Sequence, residues 1–436
     1  MRNKLSLLAL ATLAALPLAA EVKVLKNFTL IDGNGKAPVP AAAMIIDNGR
    51  ISWVGAAAQL KVPAGADVVD LAGKFVMPGI INLHGHVGAV VDLKQAAENI
   101  TPANLEKNLK TYASYGVTSV LSMGTDTDIA FALRDKQRAE RPGETRLFTA
   151  GKGFIFAGGY GGLAGVNEGT ATPAEVPAAV AKLAAQKVDT VKFWFDDHNG
   201  EMKKMPFPIA KAIVESSKKN HLIVSAHVFY LDDAKELARY GLNGFAHSVR
   251  DKAIDQELID TMKKNGVWQL AATLSREASM FAYTKDAPFL SETFLTRSLS
   301  PSVITTIKSP EFQKTLAADP HFSHYPDYFE TAKKNFKKMV DSGIKYGFGT
   351  DSGPPGRFPG FFEHWEMELL VEAGLTPMQV IQSATKNSAE YLHEKDLGTL
   401  EKSKWADLVV LDKNPLENIR NSRLIDSVYI AGNRVK

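Results

Sequence analysis

Between residues 80 and 349 the chain alternates short apolar runs with longer amphipathic stretches, and this alternation restricts its fold more than any other feature. The apolar runs are 80–83, 118–121, 147–150, 190–194, 223–226, 244–246, 267–271 and 345–349. Such short, near-continuous apolar runs suit strands buried on both faces. Between most of them lie stretches with apolar residues at helical spacing, including 102–115, 173–187, 208–220, 231–240 and 255–265. Strands joined through helices run parallel, because a tight turn can only return the chain antiparallel. Eight strands separated by helices is the count of a (β/α)8 TIM barrel, an α/β fold expected here over 76–393. The interval 273–335, rich in Phe, Tyr and His, reads as an insertion ahead of the last strand: a lid over the site or plain packing.

The flanks have a different rhythm. Alternating segments at 22–30, 43–46, 51–54 and 67–71 are punctuated by Asp32-Gly33-Asn34-Gly35 and Asp47-Asn48-Gly49. A similar pattern returns at 407–411 and 427–431, before Gly432-Asn433. These segments predict a small β-sandwich built from both termini, 21–75 and 394–436; strands decorating the barrel fit the same pattern. Residues 1–20 have the form of a secretory signal peptide: Arg2 and Lys4, an apolar stretch over 5–16, then Pro17-Leu18-Ala19-Ala20. The stretch is short for a membrane span and Pro17 interrupts it, so a periplasmic or secreted protein without stable membrane insertion is expected.

The formal charge is +3, of which Arg2 and Lys4 supply two, and no basic stripe suggests nucleic acid. The paired lysines fall in helical stretches and read as solvated faces. There is no cysteine, which rules out disulfides, thiolate ligands and a thiol nucleophile. A metal site in this chain has to use nitrogen and oxygen ligands.

His84-Gly85-His86 follows the apolar run Ile80-Ile81-Asn82-Leu83. Imidazoles at i and i+2 of an extended segment point to one side and can close on one metal ion. Alone, such a pair is more often an ordinary surface or core feature. Here the ends of later runs carry further ligand-type residues: Lys192 in the fourth, His227 after the fifth, His247 after the sixth and Asp351 after the eighth. Barrel enzymes carry their active sites at the C-terminal ends of the strands.

With these residues in place, the chain resembles the amidohydrolase superfamily over nearly its whole length after the leader. The resemblance rests on Met77-Pro78-Gly79 ahead of His84-Gly85-His86, on Gly349-Thr350-Asp351-Ser352, and on Ala384-Thr385-Lys386-Asn387-Ser388-Ala389. The closing Leu397-Gly398-Thr399-Leu400-Glu401 and Trp405-Ala406-Asp407-Leu408-Val409-Val410-Leu411 extend it. It implies a barrel with a β-sandwich from both termini. The kind implied is the binuclear, carbamylated-lysine one, similar to imidazolonepropionase and Xaa-Pro dipeptidase-like hydrolases. Lys192 then reacts with CO2 to give N6-carboxylysine, which needs a neutral amine, so burial and nearby cations must depress its pKa. A strand lysine paired with Asp189 or Asp196 is the plainer alternative.

The resemblance further assigns His84, His86 and Asp351 to one metal and His227 and His247 to the other, with Lys192 between them. Zinc is the default for such ligands, and manganese or cobalt suits the same cage. Two divalent ions activate a water and polarise a carbonyl, while Asp351 moves the proton. The activity implied is hydrolysis of an amide-type C–N bond in a small N-acyl or peptide-like substrate. A lactonase or phosphotriesterase-like ester hydrolase could use the same site. A mononuclear deaminase fits less well, since its glutamate three residues beyond the fifth-strand histidine is replaced by Tyr230, and Lys192 would have no purpose. A binding protein on a decayed barrel is disfavoured because every ligand position is filled. No GxSxG elbow or P-loop offers another hydrolase site.

Substrate contacts are less sharply marked. Tyr230 and Arg250 each lie three residues beyond a ligand histidine and are placed to overhang the pocket. Tyrosine can polarise a carbonyl, and arginine favours a carboxylate. His198 lies on the loop after Lys192, and Tyr160 in the glycine-rich Phe156-Ala157-Gly158-Gly159-Tyr160-Gly161-Gly162. Each is equally readable as an ordinary loop residue. Related peptidase-like members carry a histidine where Tyr160 stands, which sets this chain apart from a simple dipeptidase. The partners implied are a small-molecule substrate and, at most, further copies of the chain in a homo-oligomer.

Overall fold

The computed structural model describes residues 22–284 and 287–436; the expected signal peptide lies outside the described residues. The two flanks meet in one eight-stranded sheet. Phe75–Pro78 is the joint. It pairs antiparallel with Leu408–Leu411, Val76 opposite Val410, and parallel with the end of Val22–Leu30. Val39–Asp47 turns into Arg50–Ala56 through Asn48 and Gly49, both at positive φ, which is the geometry a two-residue hairpin demands. A Cβ on Gly49 would lie 2.3 Å from the Ala431 carbonyl oxygen, so the turn also fits closely against the C-terminal flank. Alternate residues of these strands (Leu25, Met44, Ile46, Val76, Leu408, Val410) form one buried cluster, as period-two patterning requires.

The middle of the chain is mixed α/β, and its strands are parallel apart from one short antiparallel pair, Val90–Val91 with Lys94–Gln95. Ile80–Gly85, Val117–Ser122 and Arg146–Thr149 form one set. Val191–Phe195, Val224–Val228, Gly244–Phe245 and Trp268–Gln269 form another. A parallel bridge from Phe154 to Phe193 and a hydrogen bond from Asp189 N to Thr149 O (2.9 Å) link the sets on one side. The eighth expected strand, 345–349, is no regular strand among the described residues, yet it bonds to both neighbours. Gln269 N donates to Lys345 O (2.9 Å), Leu83 N donates to Phe348 O (2.8 Å), and Gly85 bridges Ser352. Its two glycines explain the irregularity. A Cβ at Gly347 would meet the Leu270 carbonyl at 2.8 Å, and one at Gly349 would meet His84 N at 2.9 Å. The run is pressed too close to its neighbours for an even ladder.

Helices cover the outside. Pro102–Ser114 starts with Thr101 accepting from Asn104 N and Pro102 in the first turn. Gln256–Asn265 starts on Asp255, which accepts from Leu258 N, and stops at Gly266 in the left-handed region. Asp128–Ala139 escaped the sequence reading because half of its buried face is polar. There Arg134 donates to Lys187 O (2.8 Å), and Gln137 binds Thr145 O (3.1 Å) and Leu147 N (2.8 Å). The expected insertion contains the helices Leu274–Ala282, Pro301–Ile307 and Pro310–Ala317. Its expected end at 335 falls inside Tyr325–Asp341, a single helix held by the continuous stripe Phe329, Ala332, Phe336 and Met339.

Candidate metal centre

The alternation within Val191–Phe195 turns Val191, Phe193 and Phe195 into the outer apolar cluster and leaves Lys192 and Trp194 facing the other way. Lys192 is fully buried, with Nζ 4.8 Å from the centre of the Trp194 ring and 3.4 Å from His84 Nε2. Neither carboxylate of the plainer reading pairs with it. Asp189 is taken by Arg138 and Thr149 N, and Asp196 by His227. Burial therefore acts on an unpaired amine and lowers its pKa to about 7, only partly opposed by Asp351. Near pH 7 a substantial share of Nζ is therefore uncharged, the state that reaction with CO2 needs.

Three histidines are oriented by what lies behind them. His84 Nδ1 faces the Ala246 carbonyl at 3.0 Å. A carbonyl only accepts, so Nδ1 carries the proton and Nε2 keeps its lone pair toward the centre. His247 Nδ1 lies 2.9 Å from Thr273 Oγ1, which itself donates to Ala272 O, so the same assignment follows. His86 turns Nδ1 to Thr125 Oγ1 (3.0 Å) and Nε2 to Asp351 Oδ1 (3.1 Å). Burial holds His84 and His247 well below the ordinary imidazole pKa, and so neutral.

Asp351 completes the group. One ligand atom each from His84, His247 and Asp351 all lie within 4.8 Å of one another. Oδ1 is 3.4 Å from His84 Nε2, while Oδ2 accepts from Arg357 Nη1 at 2.6 Å. Burial pushes this carboxyl up, but Arg357 and the two histidines outweigh it and hold Asp351 well below the usual carboxylate range. Its backbone sits at φ 57°, a left-handed conformation that costs a non-glycine residue about 1 kcal/mol or more. The surroundings fix it there. Asp351 N donates to His84 O (2.7 Å), and Glu363 gathers Asn82 Nδ2 (2.6 Å), Thr350 Oγ1 (2.7 Å) and Ser352 Oγ (2.7 Å) on one oxygen. Asn82 in turn accepts from His84 N (2.8 Å), so one buried carboxylate ties the His84 strand end to the Asp351 turn.

His227 is placed differently. Its ring packs edge-on against His247, with centroids 4.2 Å apart, but Nε2 is given to Asp196 Oδ2 at 2.7 Å. Only Nδ1 is left to bind a metal. Burial lowers its pKa to about 4 against the opposing pull of Asp196. The donor set of four histidines, a carboxylate and a near-neutral lysine, with no sulfur, fits divalent zinc or its first-row neighbours.

The expected substrate contacts divide. Tyr160, His198 and Arg250 line a small cavity beside His227 and Asp196, together with Phe229, Arg276 and the insertion's Tyr325 and Tyr328. Tyr160 stacks on His198, with centroids 5.2 Å apart, and its ring lies 5.3 Å from that of His227. Tyr230 is not among the lining residues. Its hydroxyl donates to Asp197 Oδ1 (2.7 Å) and its ring lies under Lys204. Tyr230 immediately precedes the helix Leu231–Tyr240, and consecutive side chains diverge there, so Phe229 takes the pocket side instead. The sequence reading missed Asp196 as partner of His227, and it missed Arg276, Glu277, Arg357 and Glu363 altogether. Asp196 alone had a local signal, directly after Phe195 at the apolar end of its strand.

Comparison with known proteins bears on this geometry. The model of the amidohydrolase family matches residues 75–435. The chain is 23% identical over 423 residues to an imidazolonepropionase of Streptomyces griseus, covering 92% of this chain and 95% of that one. It is 23% identical over 441 residues to an ochratoxinase of Aspergillus niger, covering 92% and 83%. The crystal structure of A. niger ochratoxinase superposes with a TM-score of 0.73 at 20% identity over 96% of either chain. That of a Xaa-Pro dipeptidase with bound methionine in the active site gives 0.74 at 22% identity, over 95% of this chain and 99% of that one. These likenesses establish a shared fold.

Proposed function

The chain belongs to the amidohydrolase family, whose members hydrolyse C–N bonds, and we propose that it is an exported, binuclear metal-dependent amidohydrolase acting on a small N-acyl or peptide-like substrate. One observation carries the reading: His84 and His86 turn Nε2 onto the Asp351 carboxylate, with Lys192 buried beside them and free of any carboxylate partner. On this reading His84, His86 and Asp351 hold one metal and His247 and His227, through Nδ1, the other, with carboxylated Lys192 shared between them. The parallel strand sets, joined through Phe154–Phe193 and through 345–349, close into a (β/α)8 barrel over 76–393. The flanks 21–75 and 394–436 form the β-sandwich. Export rests on the pattern of residues 1–20; among the described residues no helix is long and apolar enough to cross a membrane.

When bound, the metal pair lowers the pKa of a water toward neutrality and polarises the substrate carbonyl. The chain supplies the rest. Asp351 takes the proton of the attacking water on Oδ2, the oxygen now held by Arg357, and returns it to the leaving nitrogen. Thr125, Thr273 and Ala246 keep the imidazoles in one tautomer through the reaction. Tyr325 and Tyr328 contribute their rings to the cavity lining.

The test is a hydrolysis screen of N-acyl amino acids, dipeptides, lactones and phosphotriesters, scored for released amine and released acid separately. Amine release that disappears on chelation and returns with zinc, manganese or cobalt is the expected result. Turnover confined to lactones or phosphotriesters would replace the amide reading with the ester one.

A further inference from the structure

The helix Phe361–Glu372 carries two fully buried carboxylates three residues apart on one face, Glu363 and Glu366. Glu363 ties the His84 strand end to the Asp351 turn. Glu366 reaches a different segment, the start of the helix Leu274–Ala282. Its Oε1 accepts from Leu274 N (2.9 Å), and its Oε2 accepts from Ser275 N (2.6 Å) and Ser275 Oγ (2.7 Å). The first N–H groups of a helix have no partner within it, and Leu274 and Ser275 are fully buried, so an acceptor has to come from elsewhere. The N-cap side chain ordinarily supplies one. Thr273 holds that position, but its hydroxyl is turned the other way. It donates to Ala272 O (2.8 Å) and faces His247 Nδ1 at 2.9 Å. The Thr273 backbone lies at φ 56° and ψ 38°, a left-handed conformation that a β-branched residue rarely enters. It persists only where the surroundings enforce it, and Glu366 grips the two residues that follow. A carboxylate also suits the positive end of the helix.

We propose that Glu366 is a positioning residue for the second metal: by capping the helix in place of Thr273, it leaves the Thr273 hydroxyl free to hold His247. The two carboxylates of Phe361–Glu372 then serve one half of the centre each, Glu363 the His84–Asp351 half and Glu366 the His247 half. The capped helix also brings Arg276, Glu277 and Met280 to the cavity, so the same contact sets that wall. Glutamine cannot replace Glu366 here. Whichever way its amide turns, an NH2 group meets a backbone donor. Thr273 then relaxes from the left-handed region or turns its hydroxyl to the orphaned N–H, and His247 loses the partner that fixes its tautomer.

The role rests on the two-metal reading, and one experiment separates the two. Metal is drawn by a competing chelator from the loaded parent, Glu366→Gln, Thr273→Val and the double variant, with elemental analysis for the starting count. Glu366→Gln is expected to weaken one of the two equivalents by about tenfold and leave the other unchanged. In the Thr273→Val background the same substitution should cost less than about a further twofold, because both changes act through one hydroxyl. Equal losses with and without Thr273 overturn the role, as does parental affinity for both equivalents in folded Glu366→Gln. Amide exchange in the parent decides the matter if that variant does not fold. Metal and Glu366 favour the same Thr273 conformation, so metal loading should slow exchange at Leu274 and Ser275 by about fivefold or more. Rates that metal leaves unchanged overturn the role. A parent holding fewer than two equivalents removes the two-metal reading and this role with it, whereas two equivalents indifferent to Glu366 remove the role alone.

Discussion

His84, His86 and His247 stand at or just beyond strand ends, buried, with their outer nitrogens fixed by Ala246 O, Thr125 and Thr273, whereas His198 stands on a half-exposed loop at positive φ and answers to Glu201 at 2.9 Å. The first three are set by strand direction: alternation decides which way the side chain points, and a partner behind it decides which nitrogen is free. His198 is set by a local turn, with Asp196 accepting from its backbone at 3.0 Å, and Glu201 links it across the mouth to His321 of the insertion at 3.2 Å. The floor is built to hold atoms in place. The rim is built of contacts that a substrate can displace, and function should be sensitive to the two regions in different ways.

The largest effect belongs to the floor. Asp351→Asn keeps the oxygen near His84 and His86 but loses the proton carrier, so metal stays and turnover falls by about 10²–10⁴-fold. Elemental analysis beside an amine-release assay checks this, and near-parental turnover would remove Asp351 from its role. Next are the supports. Thr273→Val or Thr125→Val removes the hydroxyl behind His247 or His86 and should weaken metal binding by about 10–100-fold. His198→Ala should leave metal affinity unchanged in the same competition assay. Equal losses in the two regions would erase the distinction.

A pH series sharpens it further. The neutral Lys192 amine predominates above about pH 7, whereas His84, His227 and His247 are already neutral well below that pH. The bicarbonate-dependent part of metal uptake should therefore rise through about pH 7. A rise confined to the far alkaline range, where an exposed lysine titrates, would show that burial does not act on it. The smallest effect is expected at the rim's outer side. Tyr230→Phe gives up one partly exposed hydrogen bond to Asp197, worth about 1 kcal/mol in a denaturant melt, and leaves metal affinity as it was.

The same contrast explains what was legible in the chain. His84, His86, His227, His247 and Asp351 could be singled out from sequence because each sits at or just past the end of an apolar run, and Lys192 because alternation inside its run turns it away from Val191 and Phe193. The parallel α/β middle and the sheet shared by both termini were legible for the same reason: periodicity is a local property. Arg276, Glu277, Arg357 and Glu363 were not, since their roles come from long-range closure; Glu363 reaches Asn82 across 281 residues. Tyr230 shows the opposite error, in which three residues past a ligand looked like proximity. The onset of the helix Leu231–Tyr240 turned its side chain to Asp197. The expected eighth strand, 345–349, is no regular strand but a segment bonded to its two neighbours, because Gly347 and Gly349 bring the backbone close to Leu270 and His84.

The central claim is a metal pair shared through Lys192. It is met most directly by counting metal per chain in protein purified with bicarbonate, beside Lys192→Ala prepared identically. Near two equivalents in the parent and a clear loss in the variant is the predicted result. One equivalent, unchanged by the substitution, would contradict it.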